Sequence, residues 1–138
     1  MAGIKVDLNV RGLCCLRPGI KGVSDNISVI SIVGRFLEHA RIYYFPRETE
    51  DEVLIGSSDM MFRNLKERIE VLLPVPDPYL RRALLEDILE IHLRDNVKAR
   101  RLLPDGTYER VEPKQGDEVI NSQTWLIKNR GIWNEQPS

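Results

Sequence analysis

Residues 38–64 constrain this chain more than any other stretch of it. Two short apolar runs, Ile42-Tyr43-Tyr44-Phe45 and Val53-Leu54-Ile55, flank a charged segment opened by Pro46. β-Branched and aromatic runs of this length, separated by a polar turn, read as the two arms of a hairpin. Side chains alternate faces in an extended chain, so His39 and Arg41 project from the same side. That places a titratable nitrogen beside a planar fork of donors. The hairpin then returns the chain to Gly56-Ser57-Ser58, a small, hydroxyl-rich turn suited to close approach by an oxygen-rich anion. The local chemistry is that of phosphate binding.

The remaining pattern surrounds this hairpin with more strands and two helices. Ile4, Val6, Leu8 and Val10 alternate with Lys5, Asp7 and Asn9, the period-two signature of a strand, with Arg11 at its end. A loop rich in glycine and proline follows. Residues 27–33 are β-branched and alternating, and read as a strand, with a helix over residues 32–38 as the competing possibility. Another strand is expected at residues 68–73, closed by Pro74. Asp77-Pro78 has the form of a helix start, an Asp cap before a proline at the first helical position. Leu80, Leu84, Ile88 and Ile91 then recur at helical spacing. Residues 97–102 and 108–111 suggest a second hairpin around Pro104-Asp105-Gly106, residues 118–128 an amphipathic helix, and residues 134–138 a frayed tail. Strands mixed with flanking helices imply an α/β class, a mixed sheet flanked by helices in a single domain spanning residues 1–133.

At 138 residues, 42% of them apolar, the chain is long enough to enclose a core. The formal net charge is −1, so no global field steers it to nucleic acid or to an anionic membrane, and any anion affinity must be local. Arginines outnumber lysines 14 to 6, and arginine is the residue that holds phosphate oxygens bidentately while staying charged. Cys14 and Cys15 are adjacent, badly placed to bridge each other and without the spacing of a zinc site. They read as packing thiols in a reducing compartment. The start of the chain lacks the apolar core of a signal peptide, and no apolar run approaches the roughly 20 residues that cross a bilayer.

Of the two histidines, His92 lies on the border of the amphipathic helix and reads as a packing or surface residue. His39 has more telling company: Arg41 two residues on and the Gly-Ser-Ser turn across the hairpin. His-x-Arg followed by Gly-Ser-Ser-Asp resembles a degenerate form of the His-x-Lys…Gly-Ser-x-Asn motif of the phospholipase D superfamily. It departs from that motif in having Arg41 for the usual lysine and Pro46 where an aspartate is expected. A longer resemblance covers nearly the whole chain. Residues 10–19, 24–27, 31–39 and 57–64, then Asp77-Pro78, Val97-Lys98-Ala99-Arg100 and Asn121-Ser122-Gln123, are similar to the C-terminal domain of bacterial polyphosphate kinase. Met60 departs from that pattern, where a tryptophan is common.

The resemblance implies a phospholipase D-like fold. It implies a role in an enzyme that transfers the γ-phosphate of ATP reversibly to polyphosphate, through a phosphohistidine in a preceding half absent from this sequence. Arg11 and His39 are then implied to contact the terminal phosphates of ATP, His39 as the catalytic residue. Arg41, Ser57 and Asn64 match the degenerate motif in the same pocket. Mg2+ ligands are expected in the missing half and none in this chain. The expected partners are ATP or ADP, polyphosphate and that preceding half, with a homo-oligomer for the full-length protein and no nucleic acid. The expected location is the cytoplasm, with membrane association of the full-length enzyme left open. His39 could hold phosphate as a cation or give a proton to a leaving oxygen. Two other readings stay open: a single-motif phosphodiesterase or nuclease completed across a homodimer, and a non-catalytic module for polyanions.

Overall fold

The computed structural model describes residues 3–130. In chain order the elements are strands β1 (Val6–Asn9), β2 (Ile27–Ile32), β3 (Ile42–Phe45) and β4 (Glu52–Gly56), helix α1 (Phe62–Lys66), strand β5 (Leu72–Pro74), helix α2 (Pro78–Arg82), a π-helical segment (Ala83–Leu89), helix α3 (Glu90–Leu93), strands β6 (Ala99–Leu102) and β7 (Tyr108–Arg110), and helix α4 (Ser122–Lys128). The class is α/β, as the pattern of the sequence suggests. The strands divide between two sheets and the described chain between two compact units, residues 3–37 with 90–130 and residues 38–89.

The first unit carries a mixed sheet in the order β1-β2-β6-β7. β1 pairs parallel to β2, Val6 opposite Ile27, while β6 runs antiparallel to both β2 and β7. Alternation does what was expected of it: Val6 and Leu8 are half-buried, and Asp7 and Asn9 exposed. Val29 and Ala99 are fully enclosed, and Ile32, Ile91, Leu102 and Ile120 complete the core of this unit. Gly106, at φ +90°, closes the β6–β7 turn in the left-handed region that other residues avoid. Residues 33–40 contain no helix. Instead the buried side chain of Gln123 brackets the backbone of Phe36, accepting from its N–H at 3.1 Å and donating to its carbonyl at 2.8 Å. A Cβ on Gly34 would lie 2.3 Å from Gln123 Oε1, so a glycine is needed there for space rather than for its dihedrals. Cys14 and Cys15 are both free, and Cys15 is exposed rather than the packing thiol expected of it.

A buried carboxylate ties this unit together. Asp95 Oδ1 accepts from the backbone N–H groups of Val97, Lys98 and Ala99, and Oδ2 from both the N–H and the hydroxyl of Ser122. One side chain thereby satisfies the entry to β6 and the first turn of α4. Helix α4 begins at Ser122, later than the expected residue 118. The Asn121 side chain caps it at Thr124 N, and Asn96 pairs with Ile120 through two hydrogen bonds just before it.

The second unit holds the antiparallel sheet β3-β4-β5. Ile42 faces Ile55 and Tyr44 faces Val53, the most enclosed side chain of the unit. Strand β5 is shorter than the alternation of residues 68–73 suggests, and Pro74 is its last residue rather than the stop beyond it, which an edge strand tolerates. Residues 68–71 lie outside the strand, and Ile69 is fully exposed. Helix α1 has no counterpart in the sequence reading. Asp77 caps α2 by accepting from Leu80 N at 2.9 Å, with Pro78 at the first helical position. The following turns widen to i→i+5 bonding over Ala83–Leu89. The expected domain end at residue 133 and the frayed tail at 134–138 lie outside the described residues. No helix among the described residues is long and apolar enough to cross a membrane.

Burial acts to raise the pKa of Asp95, but hydrogen bonds from Lys98, Ser122 and Val97 outweigh it and hold the carboxyl below the ordinary aspartate range. Its stabilising contribution is therefore fully present above the unfolded-state pKa of about 3.9 and is lost as pH falls through the lower folded value. Asp95→Ala should destabilise the chain by about 2–3 kcal/mol, read from urea midpoints at pH 7. The loss of stability between pH 5 and pH 2 should be smaller in the variant than in the parent.

Candidate functional site

The site is built on the β3–β4 hairpin. Gly56 N–H donates to the Arg41 carbonyl at 3.2 Å, extending the ladder one step beyond β3, so the Arg41 backbone is held although it lies outside the strand. Gly56 serves the sheet rather than a ligand. A Cβ at this position would meet the Val71 carbonyl oxygen at 2.2 Å and Leu72 Cδ2 at 2.7 Å. The absent side chain is what lets the chain leading into β5 approach β4, with Ser57 N–H donating to Val71 O at 3.0 Å.

Arg41 and His39 lie side by side, as alternation requires, although both precede β3. Arg41 Nη1 donates to His39 Nδ1 at 2.7 Å and to the His39 carbonyl at 3.0 Å. The rest of the guanidinium is taken by Asp59, Nε to Oδ1 at 2.9 Å and Nη2 to Oδ2 at 3.2 Å. This two-point hold raises the guanidinium pKa further above its already high ordinary value, the Asp59 hydrogen bond first and its charge adding to it against desolvation. Because an arginine can only donate, His39 Nδ1 must accept, and the ring proton sits on Nε2. The result is a chain of three side chains, Asp59 holding Arg41 and Arg41 holding His39. Tyr43 closes the turn from behind, its hydroxyl donating to the Ser58 carbonyl. Burial raises its phenol pKa, and the Asp59 and Glu70 charges add to the effect while Arg41 opposes it.

Ser57 and Asn64 meet on a residue that the sequence reading passed over. Ser57 Oγ donates to Glu70 Oε2 at 2.5 Å and Asn64 Nδ2 to Glu70 Oε1 at 2.6 Å, while Val71 N–H donates to Ser57 Oγ at 3.2 Å. Ser58 and Asn64 are buried, and Ser57 is exposed. His39, Arg41, Gly56 and Ser57 line one end of a cleft of about 450 Å3, whose apolar wall includes Ile55, Leu73, Leu84 and Ile88. Leu84 and Ile88, four residues apart on the π-helical segment, both line the cleft. Arg11 belongs to the other unit. It follows the last ladder bond of β1, from Val10 N–H to Ile30 O at 2.8 Å, and is solvent-exposed with no hydrogen bond or ion pair among the described residues. No group of three or more His, Cys, Asp or Glu among the described residues could hold a metal ion.

The structure thus brings His39, Arg41 and Ser57 together and connects Asn64 to them through Glu70. Asp59 stands inside the Gly-Ser-Ser-Asp motif, where its two-residue distance from Ser57 signals only a turn. Glu70 falls within an apparent strand alternation, and that alternation hid it.

A family model described as polyphosphate kinase C-terminal domain 2 matches residues 1–123. A polyphosphate kinase of Exiguobacterium is 48% identical over 99% of this chain and 19% of its own length. Polyphosphate kinase 1 of Chlorobaculum tepidum is 50% identical over 94% of this chain and 18% of its own length. The crystal structure of polyphosphate kinase from Porphyromonas gingivalis superposes with a TM-score of 0.87 at 38% identity, covering 97% of this chain and 20% of that one. The chain therefore spans about one fifth of the length of the relatives it matches.

The Asp59–Arg41 pair is partly solvated, with 42% of the Asp59 side chain exposed. Asp59→Asn should accordingly cost only about 0.5–1 kcal/mol of stability by urea titration. The same substitution should loosen the imidazole, seen as a shifted and broadened His39 ring resonance in NMR spectra of this chain. An unchanged ring resonance would show that Asp59 does not act on His39 through Arg41.

Proposed function

The chain belongs to the polyphosphate kinase C-terminal domain family, and from that premise we propose that it supplies nucleotide- and phosphate-binding residues to the active site of a longer polyphosphate kinase. In this reading the whole enzyme moves the γ-phosphate of ATP reversibly onto polyphosphate, through a phosphohistidine carried by the preceding half of the protein, in the cytoplasm. The observation that carries the assignment of roles is the Asp59–Arg41–His39 chain, which leaves the exposed imidazole with one defined donor, Nε2–H.

Phosphoryl transfer passes through a loose transition state that spreads negative charge over the equatorial oxygens, so the protein's task is positioning and charge stabilisation. Arg11 suits that task. Its guanidinium keeps its charge at any working pH, can grip a phosphate at two points, and has no competing partner among the described residues. His39 donates from Nε2 to a terminal phosphate oxygen or to the leaving oxygen of ADP. Arg41 is already committed to Asp59 and to His39, and in this reading acts by orienting the imidazole rather than by gripping phosphate itself. Ser57 and Asn64 are the further candidates for phosphate contacts. The side chains that would hold Mg2+ belong, in this reading, to the preceding half of the protein.

Replacing His39 or Arg11 by Ala in the full-length enzyme should lower ATP-dependent polyphosphate synthesis by about 10²–10³-fold, the usual effect of removing one charge-stabilising donor. Near-parental turnover in both variants would overturn the assigned roles. This 138-residue chain by itself should synthesise no polyphosphate from ATP in the same assay.

A further inference from the structure

Two donors from different elements converge on one carboxylate. The Ser57 hydroxyl, just past β4, reaches Glu70 Oε2, and the Asn64 amide, on α1, reaches Oε1, one donor for each oxygen. This is the pattern by which any oxyanion is held by a pair of donors, and a phosphate presents a similar pair of oxygens. Asn64 is only 5% exposed, so its donor is in place before a ligand arrives. Its other amide atom, Oδ1, is buried without a partner. An ionised carboxylate has no proton to give that acceptor. A terminal phosphate, with a second pKa of about 6, carries one for part of the time at neutral pH.

The surroundings favour negative charge at this point. The Ser57 hydrogen bond above all, with help from Asn64, Arg68 and Arg41, holds the Glu70 carboxyl below its ordinary range against desolvation. The segment that carries Glu70 is lightly packed, with Glu67, Arg68 and Ile69 all exposed. Ser57 also lines the cleft that holds His39.

We propose that Glu70 is the resident occupant of an oxyanion seat built by Ser57 and Asn64, and that a terminal phosphate takes this seat when the glutamate swings out. The proposal rests on the phosphate-binding reading of the cleft and adds to it a competitor carried by the chain itself. Glu70 then limits how firmly the cleft holds phosphate and favours release as well as capture.

The test is calorimetric titration of this chain with inorganic tripolyphosphate at fixed salt. Glu70→Ala should bind at least about tenfold more tightly than the parent, the change expected when a charge-assisted competitor is removed. Adding Ser57→Ala to it should abolish the gain. Glu67→Ala, which removes the same charge from the same loop without opening the seat, should leave the affinity at the parental value. If Glu70→Ala does not fold, Glu70→Ser serves in its place, because its side chain is too short to reach the Ser57 and Asn64 donors and also vacates the seat. No gain in a folded Glu70 variant would overturn the proposal, as would a gain that survives Ser57→Ala or one matched by Glu67→Ala. The His39 and Arg11 roles are read from turnover of the full-length enzyme, so either reading can fail alone.

Discussion

A guanidinium offers one plane of donors, and in this chain Asp59 takes most of it. That single pairing decides the character of the candidate site. With Nε and Nη2 held by the carboxylate, only Nη1 is left over, and it points at the imidazole of His39. Arg41 becomes a fixed wall behind the histidine instead of a mobile cation in front of it. The ring acquires a defined tautomer without any hydrogen bond from a carboxylate of its own. The backbone contributes the rest, since the Gly56 bond to the Arg41 carbonyl anchors the residue that does the orienting.

Much of the fold was legible because period-two alternation is a direct record of which face of a strand is buried. β1 follows it throughout and β2 over residues 27–29, the β6–β7 hairpin is marked by its Pro104-Asp105-Gly106 turn instead, and the Asp77-Pro78 signature marks the start of α2 where the backbone donors need it. Alternation misled at residues 68–71, where Glu70 is drawn toward Ser57 and Asn64 and the chain leaves the sheet. The widened turns of Ala83–Leu89 were not legible either, because the apolar spacing of Leu80, Leu84 and Ile88 suits an ordinary helix equally well. Asn121 delays α4 through a cap that composition alone does not distinguish from any other asparagine.

Which residues gather around the candidate cleft was partly legible, and their wiring was not. His39, Arg41, Ser57 and Asn64 could be singled out by residue type and spacing, yet which of them holds which is a matter of tertiary geometry. Gly56 shows the limit most clearly. A glycine before two serines suggests room for an anion, whereas the room is used by the Val71 carbonyl and Leu72. Asp59 and Glu70, the two carboxylates that organise the other polar groups, carry no sequence mark of that role. In the function proposed for the chain the family supplies the chemistry, and the hydrogen bonds divide the labour among these groups.

The paired thiols at positions 14 and 15 have a consequence for the behaviour of the molecule in air. Neighbouring residues in an extended loop cannot easily adopt the torsion a disulfide demands, and Cys15 is exposed. Oxidation therefore joins separate molecules rather than closing a ring within one. Dimers that vanish on adding a reductant are the expected product of storage, and such species say nothing about how the chain assembles in its native setting.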